Sequence, residues 1–170
     1  AIIILLPSFF IQGETKAAVL SYYELPRNLQ FYARDEDDSA FVRYSGLLST
    51  SGYDSVYIEV YRNNVLWKRK SNKLNYTSGS AAFSIGQNIY CELAEYKFRL
   101  YIKAGSTSTL MNTADSLVCG DVYLVAGQSN SHPTSSYATY KNEFCRSFGV
   151  QTANYNGNNY NPADTAWRLS

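Results

Sequence analysis

Residues 55–70 read SVYIEVYRNNVLWKRK, and their pattern is that of two strands joined by a tight turn. Aliphatic residues alternate with tyrosine and glutamate over the positions before Arg62, which gives one apolar and one amphipathic face. Asn63 and Asn64 come next, and asparagine tolerates the positive φ that a two-residue hairpin turn requires. The stretch therefore predicts a β-hairpin with one face in a core.

Similar runs lie on both sides of this hairpin. They cover residues 28–34, 40–48, 81–85 and 96–103, and Asp, Ser, Gly or Asn breaks separate them. Sixteen tyrosines and eight phenylalanines favour strands over helices. Six or more strands at this spacing, with no convincing helix, predict an all-β sandwich over residues 18–116.

Composition excludes several classes of protein. The 170 residues carry 15 basic and 14 acidic side chains, and a net charge of +1 argues against nucleic-acid binding by a basic face. An apolar fraction of 45% excludes a disordered chain. The length suits one domain, or a small domain with part of another.

The N-terminal residues 1–17 form a segment of their own. Residues 1–11 are mostly apolar but are interrupted by Pro7, and they are too few for a membrane span, which needs about 20. The run is similar to the apolar core of a secretory signal. We expect either a remnant of an export signal or a buried first strand, and no membrane span.

The cysteines and the acidic residues give no metal site. Cys91, Cys119 and Cys145 lack C-x-x-C spacing, so they predict either one disulfide with a free thiol or three buried thiols. The acidic run at residues 35–38 lacks the spacing of a calcium loop and predicts a solvated turn. We expect neither a metal nor a cofactor.

The character of the chain changes at Leu117. Residues 118–126, VCGDVYLVA, are almost continuously apolar, which is typical of a parallel strand covered on both faces. A small polar turn at residues 127–130 and a weakly helical segment come after this run. We therefore expect residues 117–170 to begin an α/β domain with a strand, a turn and a helix. A serine at such a turn is a candidate nucleophile, because helix N–H groups can stabilise an oxyanion there.

Residues 120–130, GDVYLVAGQSN, resemble the nucleophile block of the SGNH hydrolases, in particular the sialate O-acetylesterase branch with G-D-V-(aromatic)-L-x-x-G-Q-S-N. The resemblance implies a flavodoxin-like α/β domain, often preceded by a β-sandwich, that removes O-acetyl groups from carbohydrates. It makes Ser129 the nucleophile and its own N–H an oxyanion donor. Gln128 and Asn130 would shape the entrance where substrate binds. Residues 146–149, RSFG, and Trp167 resemble the sequence downstream of the block in bacterial relatives.

The chain departs from the family in its catalytic base. The family's base is a histidine that lies three positions after an aspartate, whereas the one histidine here, His132, lies three positions after Ser129. We interpret His132 as a turn or surface residue, and we expect the chain to be the truncated, N-terminal part of a secreted esterase. The alternative is a non-catalytic β-sandwich that serves as a binding or structural component of a bacterial cell-surface assembly.

A second motif concerns modification. Asp, then Ser or Thr, then an apolar residue occurs four times, which makes Ser39, Ser55, Ser116 and Thr165 candidates. The pattern resembles the O-glycosylation sequon of exported proteins in a group of Gram-negative bacteria. We therefore expect a secreted or cell-surface glycoprotein whose partners are an O-acetylated glycan and other cell-surface proteins.

Overall fold

The computed structural model describes residues 17–124, 142–148 and 165–169. These ranges contain ten strands and no helix. The strands are β1 (Leu20–Glu24), β2 (Phe31–Ala33), β3 (Ser39–Leu48), β4 (Ser55–Arg62), β5 (Val65–Lys73), β6 (Ala81–Tyr90), β7 (Tyr96–Ala104), β8 (Thr107–Gly120), β9 (Arg146–Phe148) and β10 (Trp167–Leu169).

Two sheets pack into a β-sandwich. One has three strands in the order β1-β3-β6, and the other has five in the order β2-β8-β7-β4-β5. All pairs within them are antiparallel except β2 with β8, which is parallel. Buried residues from both sheets form one core. The short strands β9 and β10 pair separately.

The hairpin predicted at residues 55–70 is confirmed. Asn63 and Asn64 take φ values of 49° and 64° between β4 and β5, as a two-residue turn requires. Val56, Ile58 and Val60 are fully buried, so the aliphatic residues of the alternation face the core.

Tyr44 shows how the core accommodates a polar group. Its ring is fully buried, and its hydroxyl donates a hydrogen bond to Oδ1 of Asn112, 3.1 Å away. Burial also raises the pKa of this phenol far above its usual value, because the interior disfavours the phenolate. The hydroxyl from the three-stranded sheet thereby reaches β8 of the other sheet.

The α/β domain expected from residue 117 onwards is wrong for the described residues, which are all-β. Residues 117–120 end the 14-residue strand β8, so the expected boundary between residues 116 and 117 lies inside a strand of the sandwich. The parallel partner of Val118 and Cys119 is β2. The apolar run does not continue as a buried strand, because Val122, Tyr123 and Leu124 are 65%, 83% and 91% exposed.

No helix of sufficient length and hydropathy to cross a bilayer occurs within the three described ranges. The possible export-signal residues 1–16 and the weakly helical segment after residue 130 fall largely outside those ranges.

Two glycines allow a matched test of how closely the strands of the sandwich pack. A Cβ on Gly86 would overlap the backbone carbonyl oxygen of Val42 and lie 2.7 Å from the ring of Phe41. A Cβ on Gly120 would meet only the ring of Phe31, at 3.4 Å. We therefore expect Gly86→Ala to lower the free energy of unfolding by about 1–3 kcal/mol. Gly120→Ala should change it by less than about 0.5 kcal/mol.

Urea denaturation followed by tryptophan fluorescence measures both changes. Equal losses for the two variants would show that the close approach at Gly86 does not govern packing of the three-stranded sheet.

Candidate functional site

The predicted nucleophile segment lies between two described parts of the chain. Ser129, Gln128, Asn130 and His132 are themselves outside the described residues. The structure does describe residues 121–124 before them and residues 142–148 after them. Contacts with the sandwich hold both of these flanks.

An ion pair fixes the upstream flank where β8 ends. Nε of Arg34 donates to Oδ1 of Asp121 at 2.7 Å, and the same guanidinium also pairs with Asp38. The two carboxylates raise the pKa of Arg34 further above its usual range. Because Arg34 directly follows β2, this pair extends the parallel β2–β8 contact by one residue beyond Gly120.

A buried arginine holds the downstream flank. The side chain of Arg146 is 0% exposed, and its partners come from four separate stretches of the chain. Nε donates to a carbonyl oxygen at 3.1 Å, Nη1 to two carbonyl oxygens, and Nη2 to a carboxylate at 3.1 Å and a carbonyl oxygen at 3.0 Å. These acceptors belong, in that order, to Leu29, Glu143, Cys145, Glu95 and Ser116. Each of the donors a guanidinium carries therefore has an acceptor.

Aromatic packing adds to the downstream attachment. Trp167 of β10 lies 4.8 Å from Phe148 of β9 and 6.1 Å from Phe31 of β2, measured between ring centroids. Nη1 of Arg27 also donates to Oγ1 of Thr165 at 3.3 Å. The residues after the nucleophile segment thus pack on the β2 edge of the five-stranded sheet.

Both flanks therefore meet the same stretch of chain. Arg34 binds the upstream flank, and the carbonyl oxygen of Leu29 and the ring of Phe31 bind the downstream flank. The described contacts at Asp121 and at Arg146 therefore both involve the chain around β2. In the sequence Arg146 stands out only through the RSFG resemblance. No local sequence pattern predicts that Arg146 is buried, because Leu29, Glu95 and Ser116 are far from it and from one another in sequence.

A small polar pocket adjoins the Arg146 network. It has a volume of about 190 Å³ and is lined by Asn64, Glu95, Tyr96, Lys97, Asp115 and Ser116. The hydroxyl of Ser116 donates to Oε2 of Glu95 at 3.1 Å, and Nζ of Lys97 pairs with Asp115 at 3.1 Å. These groups satisfy one another through a hydrogen bond and an ion pair.

The acidic run forms a turn, as expected. Oδ1 of Asp35 accepts hydrogen bonds from the backbone N–H groups of Asp37 and Ser39. These bonds favour the charged carboxylate, so the pKa of Asp35 is lowered. Among the residues that the structure describes, no three His, Cys, Asp or Glu side chains converge as a metal-ligand set.

The cysteines match neither expectation in full. All three are free thiols in the structure; Cys119 is buried, whereas Cys91 and Cys145 are exposed. Burial raises the pKa of the Cys119 thiol to about 11, so it is protonated at neutral pH and behaves as a small apolar side chain.

The glycosylation candidates differ in accessibility. Ser39 is 2% exposed, and its hydroxyl bonds with Asp35 and Asn88. Ser55 and Ser116 are half-buried, and Ser116 donates to a carboxylate. Thr165 is exposed. Only an accessible hydroxyl can accept a sugar without opening the fold, so the structure favours Thr165 and disfavours Ser39.

Comparison with known proteins found no family model, no curated protein and no solved structure that matches this chain.

Two arginine variants test the downstream attachment. We expect Arg146→Met to lower the free energy of unfolding by about 3–5 kcal/mol, because it leaves Glu95 and several carbonyl oxygens without their buried donor. Arg43→Met should cost less than about 1 kcal/mol, because Arg43 is half-exposed and lies 3.7 Å from Glu24. Chemical denaturation of both variants is the measurement, and similar small losses would contradict a stabilising role for Arg146.

Modification is tested by mass spectrometry of peptides from the natively purified protein. We expect hexose on the peptide that carries Thr165 and none on the peptide that carries Ser39. Hexose at Ser39 with Thr165 unmodified would contradict the accessibility argument.

Proposed function

We propose that the chain belongs to a secreted or cell-surface serine esterase that removes O-acetyl groups from carbohydrates. The observation that carries this proposal is the stretch GDVYLVAGQSN at residues 120–130 and its resemblance to the SGNH nucleophile block. Ser129 is the nucleophile in this proposal. The base that activates it is not assigned within these 170 residues, because His132 is too close to Ser129 in sequence.

The chemistry proceeds in two steps. The Ser129 oxygen attacks the acetyl carbonyl, and the backbone N–H of Ser129 helps to stabilise the oxyanion that forms. The sugar oxygen takes up a proton and leaves as a hydroxyl group, and the acetyl group stays on Ser129 as an ester. Water then attacks this ester, which releases acetate and restores the serine hydroxyl. Gln128 and Asn130 shape the entrance through which the sugar ester reaches Ser129.

The attachment of the two flanks supports this proposal. A nucleophile must be held within a fraction of an ångström of its productive position, and neighbouring structure has to supply that rigidity. Arg34 with Asp121 and the Arg146 network hold the flanks of the segment on the sandwich. In this proposal the sandwich supports the chain before and after the nucleophile segment.

A non-catalytic binding or structural role is the second candidate. The observation that favours it is that the described residues are all-β, and that the face of β4 and β7 turned away from the core carries the half-buried Tyr57, Tyr61 and Tyr101. In this role the sandwich would hold glycans or other cell-surface proteins, and Ser129 would have no catalytic part.

A serine variant separates the two candidates. In the full-length protein, Ser129→Ala should reduce the rate of aryl acetate hydrolysis by about 10³-fold or more, because the acyl-enzyme can no longer form. Ser131→Ala, two residues further along, is the matched control and should keep nearly all of the activity. Hydrolysis that is undiminished in Ser129→Ala would refute the esterase assignment, and no hydrolysis by the wild-type protein would favour the binding role.

A further inference from the structure

Positive charge is concentrated on one part of the sandwich. Strands β5 and β7 hold seven of the chain's 15 lysines and arginines and no aspartate or glutamate. The whole chain has a net charge of only +1, so the remainder is correspondingly acidic. Such an asymmetry produces a local positive field that the overall charge does not reveal.

The register places most of these cations on one surface, which we name the outer face. It is the side of β5, β4 and β7 turned away from the core. Rows across the three strands place Lys73 and Lys103 on either side of Ser55, and Arg69 and Arg99 on either side of Glu59. Lys97 lies one row further along, beside Tyr61. Five cations thus share a face whose β5, β4 and β7 rows contain one carboxylate, that of Glu59.

Tyrosine rings on the outer face are already stacked. Tyr57 and Tyr101 lie parallel at 4.7 Å between ring centroids, and Arg69 covers Tyr57 at 5.6 Å. Arg99 lies 5.0 Å from the ring centroid of Tyr61. Single-stranded nucleic acids depend on free ring faces for base stacking, and these contacts occupy ring faces of all three tyrosines. Hydroxyl and cationic groups therefore remain as the main contacts for a ligand.

Glu59 is a buried carboxylate among the cations, 7% exposed, and it accepts hydrogen bonds from Arg69 and Tyr61. Its burial by itself would raise its pKa, but hydrogen bonds from Arg69 and Tyr61 more than offset this and lower the pKa below its usual value. The carboxylate is therefore ionised at neutral pH, and it repels anions that come close. A ligand that suits this face carries negative charges for the exposed lysines, at a distance from the buried Glu59.

We propose that the outer face of β5, β4 and β7 binds an acidic polysaccharide that carries carboxylates along a hydroxyl-rich chain. Lys73 and Lys103 are its main electrostatic contacts. Both are exposed, and neither forms an ion pair with another described residue. This surface deepens the esterase proposal and rests on it for the carbohydrate class, because it would hold the acetylated polymer on the protein that deacetylates it.

The test measures binding of the full-length protein to polygalacturonate by affinity electrophoresis, with a neutral galactan and poly(U) as the other two polymers. We expect retardation by polygalacturonate, little by galactan, and loss of the retardation as salt shortens the Debye length below about 5 Å. The double variant Lys73→Gln/Lys103→Gln should bind polygalacturonate at least about fivefold more weakly. The control Arg27→Gln/Arg43→Gln removes the same charge away from the outer face and should bind within about twofold of wild type.

Three results would overturn the proposal: equal retardation by galactan and polygalacturonate, stronger binding to poly(U), or equal weakening in both double variants. Binding requires no turnover, so the two proposals fail separately. If the protein binds polygalacturonate selectively but does not hydrolyse aryl acetates, only the esterase proposal fails. If it hydrolyses aryl acetates but does not bind polygalacturonate selectively, only the outer-face proposal fails.

Discussion

The buried guanidinium of Arg146 is the interaction on which the arrangement around the nucleophile segment depends. A charge taken out of water is costly unless every donor is satisfied, and Arg146 meets this condition with acceptors from four stretches of chain. Those stretches are the residues just before β2, the chain at Glu95, the chain at Ser116, and residues 143–145. Their mutual positions are therefore constrained together.

The upstream and downstream flanks are both attached to the chain around β2. β2 extends the five-stranded sheet through a three-residue parallel pairing with β8, and the chain on either side of β2 supplies Leu29 and Arg34. The carbonyl oxygen of Leu29 binds the downstream flank, and the side chain of Arg34 binds the upstream flank. A change at β2 therefore affects the contacts of both Asp121 and Arg146. Lys73 and Lys103 of the outer face lie on β5 and β7, away from β2, so their charge can vary without disturbing that attachment.

Alternation predicted the strands from residue 28 to residue 103 and the turn at Asn63 and Asn64, because these signals are local. The apolar run from Val118 misled the fold prediction. Among the described residues of this run, only 118–120 lie in a strand, whose parallel neighbour is β2 of the sandwich, and the apolar side chains of residues 122–124 are exposed, which the sequence pattern does not reveal. The Arg146 network and the clustering of cations on the outer face could not be predicted, because both arise from register and from contacts between residues far apart in sequence. Ser129 lies outside the described residues, and its motif alone makes it the candidate nucleophile.

Amide hydrogen exchange of the full-length protein tests most directly whether the segment after the nucleophile is folded together with the sandwich. We predict that the amides of β9 and of residues 118–120 open with free energies within about 1 kcal/mol of one another, because the Arg146 network has to break for either to separate. Exchange of the β9 amides at the rate of an unstructured peptide, while β7 and β8 remain protected, would contradict this arrangement.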